Sequence, residues 1–122
     1  MERARQLTVC SPNKPGMLAR ICRCLADAQV NILAISVVES TEVGLIRMIT
    51  SDAKAATTAL EALGISVATT PVRLIELPNK VGALAEMAER LAKRKVNINF
   101  VYGSAMRGAR KSVIVVEARS GS

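Results

Sequence analysis

Tryptophan and histidine are absent, and Phe100 and Tyr102 are the sole aromatic residues among 122. Any interior must therefore be built from Val, Ile, Leu, Ala and Met packed as aliphatic layers, which suits helices laid on a sheet. Without histidine, the commonest general acid-base side chain is missing. No nucleophile stands beside a plausible base, and no pair of carboxylates recurs at repeated positions. Glycine-rich phosphate motifs are lacking too, since Pro12-Asn13-Lys14-Pro15-Gly16 does not fit G-x-x-x-x-G-K. The expectation is a protein that is not an enzyme and carries no cofactor.

Cysteine is scarce as well. Cys10, Cys22 and Cys24 make an odd set without the paired spacings of a disulfide framework or a zinc site. On a helix, residues two apart point about 200° away from each other, so Cys22 and Cys24 cannot share a metal. All three read as core filler in a reducing cytosol. No apolar run approaches the ~18 residues of a membrane span, and the opening MERARQLTV has no apolar h-region. A soluble cytoplasmic protein follows, neither secreted nor membrane-bound.

Acidic residues are outnumbered, 10 against 17 Lys and Arg, for a net charge of +7. Residues 1–70 hold seven basic and six acidic side chains (+1), and residues 71–122 hold ten and four (+6). Such a surplus bears on encounter and solubility rather than on fold.

What the chain does have is an internal repeat. Pro12-Asn13-Lys14-Pro15-Gly16-Met17-Leu18-Ala19 returns 66 residues later as Pro78-Asn79-Lys80-Val81-Gly82-Ala83-Leu84-Ala85, and eleven of the 25 positions from Pro12 to Ser36 are identical in Pro78–Tyr102. After each turn, apolar residues recur at i, i+3, i+4 and i+7: Leu18, Ile21, Cys22, Leu25 and Leu84, Met87, Ala88, Leu91. That spacing predicts one amphipathic helix per copy. Short β-prone runs precede the helices at 7–10 and 72–75; second strands follow at 30–38 and 96–102, and third strands at 45–50 and 112–116. In copy one, Ser51 or Asp52 can cap a second helix over 53–63 that Gly64 ends, before a strand at 65–68.

The reading is therefore α+β: two ferredoxin-like βαββαβ units, residues 1–70 and 71–122, the second lacking its final helix and strand. The boundary falls at Thr69-Thr70-Pro71, and the strands on either side run almost continuously. Uncovered sheet edge and apolar face in the second copy point to a homo-oligomer, a dimer or higher.

Two features of each copy suit a small ligand. The PNK[PV]G turn lies at a helix N-terminus, where unpaired N–H groups and the helix dipole favour a carboxylate. The plainer reading is that Gly16 and Gly82 permit a tight turn which Asn13 and Asn79 stabilise. Asn31 and Asn97, each eighteen residues beyond the loop Asn, sit in Val-Asn-Ile runs where an amide is a poor strand former. An amide there can bind an α-amino or α-carboxyl group, or simply cap the strand. Lys14 and Lys80 read as solvated loop tips. Lys93-Arg94-Lys95 and the hairpin Arg107, Arg110 and Lys111 could meet phosphates, but the first run also suits a helix C-terminus.

Strand, PNKPGML, amphipathic helix, VNI and hairpin, with Gly44-Leu45-Ile46-Arg47 in the third strand, together resemble the ACT domain, here as a tandem pair over nearly the whole chain. The resemblance implies small-molecule sensing, usually of amino acids, at interfaces between paired units near the first loop. In serine-sensing members a polar residue two before the loop Asn, that Asn and the second-strand Asn hold the ligand. Carried over, these are Ser11, Asn13 and Asn31 in copy one, and Leu77, Asn79 and Asn97 in copy two. Ser11 stands where those members have His, and Leu77 cannot play the part. The expected ligand set is Ser11, Asn13, Gly16, Met17 and Asn31, with Asn79, Gly82, Ala83 and Asn97 as the second copy's counterpart. Binding would be read by an enzyme or transporter in trans. The alternatives are a nucleic-acid binder using the basic second half, which the lack of aromatics in copy one argues against, and a ligand-free assembly subunit.

Overall fold

The computed structural model describes residues 2–12, 14–39 and 43–120, the side chains of residues 119 and 120 excepted. Over these it is an α+β fold of six strands and three helices: β1 (Glu2–Pro12), α1 (Met17–Asp27), β2 (Ile32–Glu39), β3 (Val43–Thr50), α2 (Ala53–Ala62), β4 (Val67–Pro78), α3 (Ala83–Lys93), β5 (Val96–Ser104) and β6 (Lys111–Ser120). The chain divides into two compact units, Arg5–Thr70 and Pro71–Ser122, and Met1–Ala4 belongs with the latter. Thr69, Thr70 and Pro71 lie in the interior of β4.

In the Arg5–Thr70 unit, β3 lies between β2 and β1, antiparallel to both. Alternation puts Leu7 and Val9 of β1 on the same face as Ile46 and Met48 of β3. There they close with Ile21 and Leu25 of α1 and Ala56 and Leu60 of α2 into one core. The second helix is capped by Asp52, whose Oδ1 accepts from the Ala55 N–H at 3.0 Å. It ends at Gly64, where φ is +82° and the Gly64 N–H donates to the Glu61 carbonyl at 2.9 Å. The anticipated helix stripe needs correction. Leu18 is 44% and Leu84 51% exposed, and the faces that pack are Ile21 and Leu25 in α1 and Ala83, Met87 and Leu91 in α3. Cys10 is exposed rather than core filler, because alternation turns it away from Leu7 and Val9.

In the Pro71–Ser122 unit, β6 lies between β4 and β5, again antiparallel. Leu77, Ile114 and Val116 pack against Met87 and Leu91 of α3. No strand follows β6 among the described residues. β1 neighbours β4, and the start of β1 belongs to this unit, with Arg3 lining a hollow beside Pro71, Val72 and Arg73. A segment remote in sequence thus takes the fourth-strand place, where a bare edge would leave backbone groups unpaired. No helix follows β6 among the described residues.

The repeat is geometric as well as sequential. Gly16 and Gly82 both have φ +89°, and Gln29 and Lys95, 66 positions apart, both enter the left-handed region at φ 61° and 58°. One backbone path is drawn twice.

Candidate ligand-binding site

The two loops begin alike. The Lys14 N–H donates to the Pro12 carbonyl and the Lys80 N–H to the Pro78 carbonyl, both at 3.0 Å. Gly16 and Gly82 are the N-cap residues of α1 and α3, with no side chain to cap the turn. The amides expected to meet a ligand are partly engaged, since the Met17 N–H donates to the Lys14 carbonyl (3.4 Å) and the Ala83 N–H to the Lys80 carbonyl (3.3 Å). The first bond along each helix axis comes from Arg20 to Gly16 and from Glu86 to Gly82, both 2.9 Å. Helix geometry therefore leaves Leu18 and Ala19, or Leu84 and Ala85, as the donors without an acceptor in their own turn. Asn13 lies outside the described residues.

The turns differ in charge. Glu86 stands in the first turn of α3, whereas α1 has no acidic residue there and carries Arg20 at the equivalent position. An anion is thus favoured at α1 by dipole and guanidinium together and opposed at α3 by a carboxylate. Beneath α1, Ser11 is buried and pairs with Gly44. A Cβ built on Gly44 would lie 3.9 Å from the Ser11 Oγ. The matching Leu77 packs into the second core.

Asn79 is occupied. Its Nδ2 donates to the Ala109 carbonyl at 2.8 Å and the Met106 carbonyl at 3.3 Å, and its N–H donates to the Arg110 carbonyl at 2.8 Å. Both amide hydrogens hold the β5–β6 hairpin, so Oδ1, an acceptor, is what remains for a ligand. Nearby, Lys111 binds Glu76 at 2.8 Å. That hydrogen bond, followed by the charge of the carboxylate, raises the ammonium above its ordinary 10.5.

Within neither unit does the second Asn lie beside the first turn. β1 and β2 are both antiparallel to β3, so they run parallel to each other. Pro12 pairs with Val43 and Glu39 with Gly44 at one end, and Ile32 pairs with Thr50 at the other. Asn31 therefore lies about seven strand residues from the loop, roughly 23 Å. There its N–H donates to the Ser51 Oγ at 2.9 Å while the Ser51 N–H donates to the Asn31 carbonyl at 2.8 Å. The hydroxyl of the adjacent Thr50 is buried with no partner among the described residues. Copy two repeats the separation, with Asn97 opposite Arg119 and Pro78 opposite Lys111. The physical reason is the βαβ crossover, which returns the chain to the far end of the sheet before the second strand begins.

A family model described as an ACT domain pair matches residues 3–120. This chain belongs to that family. Among solved structures, protein BT0572 from Bacteroides thetaiotaomicron is similar at 31% identity and TM-score 0.89, over 95% of this chain and 79% of that one. The ACT pair is also similar in fold to the ligand-free regulatory subunit of aspartate kinase from Thermus thermophilus (TM-score 0.68, 16% identity, 94% and 82% covered). Aspartokinase alpha and beta subunits give TM-score 0.61 at 18% identity, over 96% and 87%. No curated protein matches by sequence. Among the described residues no group of three or more His, Cys, Asp and Glu could hold a metal, and no helix is long and apolar enough to cross a membrane.

Proposed function

We propose that this ACT pair is a non-catalytic regulatory module that binds a free amino acid, with copy one supplying the principal site. The observation that carries the reading is the asymmetry of the two turns. Arg20 and Ser11 serve α1, whereas Glu86 and the buried Leu77 stand at α3. The ligand carboxylate meets the first-turn N–H groups of α1, with Ser11 and Asn13 as the further residues assigned to it from the sequence. Asn31 comes from a second chain. β2 ends the strand order of its unit, carries no charge from Ile32 to Val38, and exposes Leu33, Ile35, Val37 and Val38, features that leave an edge open to pairing. Two-fold antiparallel pairing of β2 with its copy brings the start of one strand to the end of the other, and so Asn31 of the second chain to the end of the sheet at which the loop of the first lies. Ligand stabilises that dimer, and an enzyme or transporter reads the shift.

A thermal-shift screen against the twenty amino acids tests this, with sedimentation velocity run with and without the hit. A specific ligand at a hundredfold excess over Kd adds about 2.7 kcal/mol, and Asn31→Ala and Arg20→Glu should each diminish the shift while Asn97→Ala leaves it. Absence of any shift, or a shift indifferent to Asn31 and Arg20, would refute the assignment.

A further inference from the structure

The two helical layers differ in a way the amino-acid site does not use. In the Arg5–Thr70 unit, α2 lies on the sheet beside α1. Ala56 and Leu60 are fully buried in the core that also holds Leu7, and the Cys24 Sγ donates to the Ala59 carbonyl at 3.4 Å. Ala28 lines the junction with α2 as well. Sixty-six residues on, Leu7, Cys24 and Ala28 become Arg73, Arg90 and Arg94. Two positions that meet α2 in one copy, and one in the core that α2 closes, are arginine in the other.

In the Pro71–Ser122 unit α3 alone lies on that face among the described residues. Between α3 and β4 runs a groove of about 340 Å³ with Ile75, Leu77, Met87 and Leu91 in its lining, beside Arg90 and Arg94. Further along β4 a second hollow of about 320 Å³ holds Arg3 and Arg73 near Val116. Glu76 also lines the groove, but Lys111 binds it at 2.8 Å. None of the four arginines makes a salt bridge among the described residues. The result is an apolar trough, placed as the α2 footprint is placed in copy one, with unpaired positive charge along its length.

We propose that this trough docks an acidic amphipathic helix of a partner protein. The equivalent face of the same chain already holds a helix, which argues for helical shape, and the arginines argue for charge. Aliphatic stems of Arg90 and Arg94 extend the apolar walls while their guanidinium forks take carboxylates two at a time. Small apolar residues at i, i+3, i+4 and i+7 fill the trough, and Glu or Asp flank them. A second copy of α2 is the poorer occupant, because AKAATTALEA offers one acid against one base.

The probe is a fluorescein-labelled peptide of about 16 residues, long enough to hold helix, with Leu and Ala on one face and Glu on its flanks, beside a twin with Lys for every Glu. By anisotropy against the full chain, the Glu peptide should bind at least about tenfold tighter than its twin, and more weakly as salt rises. In the triple variant Arg73→Glu, Arg90→Glu, Arg94→Glu the preference should reverse, and binding of the Lys twin shows that the variant is folded. Equal binding of both peptides, or a preference that survives the triple variant, would overturn the proposal. So would a chain dimer that the triple variant dissociates, which would give the trough to a second copy. NMR shifts at Ile75, Met87 and Leu91 with hexanoate but not with the Glu peptide would give it to a small acid and overturn it likewise. The amino-acid response of the proposed regulatory site is read separately, by thermal shift, and the triple variant should retain it.

Discussion

Asn79→Ala separates a structural amide from a ligand-binding one. The side chain makes two hydrogen bonds to the β5–β6 hairpin, at 2.8 Å to Ala109 and 3.3 Å to Met106, both exposed. A net bond contributes about 0.5–1.5 kcal/mol; the longer of the two belongs at the bottom of that range, and the sum is about 1 kcal/mol. The bond from the Asn79 N–H to the Arg110 carbonyl at 2.8 Å survives any side-chain change, so the hairpin loosens rather than detaches. In a chain of 122 residues, 1 kcal/mol corresponds to roughly 3–6 °C in Tm. Asn79→Asp should cost more at neutral pH, because a carboxylate then faces two carbonyl oxygens and has no hydrogen to donate. That repulsion favours the protonated acid in the folded state, so the penalty is present above the carboxyl pKa and lifts as pH falls through it. The assay is a set of thermal melts from pH 3 to 8, approximately spanning the carboxylate range, repeated with the amino acid found in the screen. An Asn79→Ala protein with unchanged Tm and an abolished amino-acid response would refute the reasoning.

Leu60→Ala, at a fully buried position, should cost about 2.7–5 kcal/mol in urea melts, and a loss under about 1 kcal/mol would mean that α2 does not pack as described. Gly16→Ala meets nothing within 4 Å, so its cost is the left-handed backbone alone, about 1–2 kcal/mol. At Gly103 an added Cβ would lie 2.6 Å from Ile114 Cδ1 and 2.7 Å from the Val113 carbonyl oxygen. Gly103→Ala should therefore destabilise more than Gly16→Ala, and pairing it with Ile114→Val should restore little, because the carbonyl stays. The Lys111–Glu76 contact raises the ammonium above 10.5, so its small stabilisation is intact at neutral pH and is lost as pH rises through the raised value; Glu76→Gln should abolish this alkaline component, as a pH titration of Tm reads directly.

The order of strands and helices was legible because apolar spacing and turn residues act locally. Asp52 before an alanine-rich run and Gly64 after it mark the ends of α2 without reference to the rest of the chain. What escaped depends on distant partners. The start of β1 serves the second unit, and nothing within MERAR points to residues 71–122. The helix stripe was placed a position wrong at Leu18 and Leu84 because an amphipathic pattern leaves open which margin of the apolar face meets the sheet. The two turns before α1 and α3 were legible locally, but the distance from each to the second Asn of its copy was not. Asn31 stands at a fixed spacing beyond the first turn, yet the crossover helix carries it to the far end of the sheet from Pro12. Commitment of the Asn79 amide to Met106 and Ala109 could not be read from a loop seen alone.

The repeat itself separates scaffold from function. Identities between copies fall where the backbone demands them: Gly16 and Gly82 at the same positive φ, and Pro12 and Pro78 closing their strands. Differences fall where a partner would touch: Ser11 against Leu77, Arg20 against Glu86, Leu7 against Arg73, Cys24 against Arg90. Each is a change of charge or polarity that the shared backbone does not require. If both copies served one task, Glu86 would weaken the second anion turn for no gain, and Arg73 would stand in place of the buried Leu7 at a cost in core. A division of labour removes both difficulties, because the copy whose helical layer is closed keeps the turn that favours a carboxylate. The copy in which α3 alone lies on the sheet among the described residues keeps the arginines that the proposed acidic helix would satisfy.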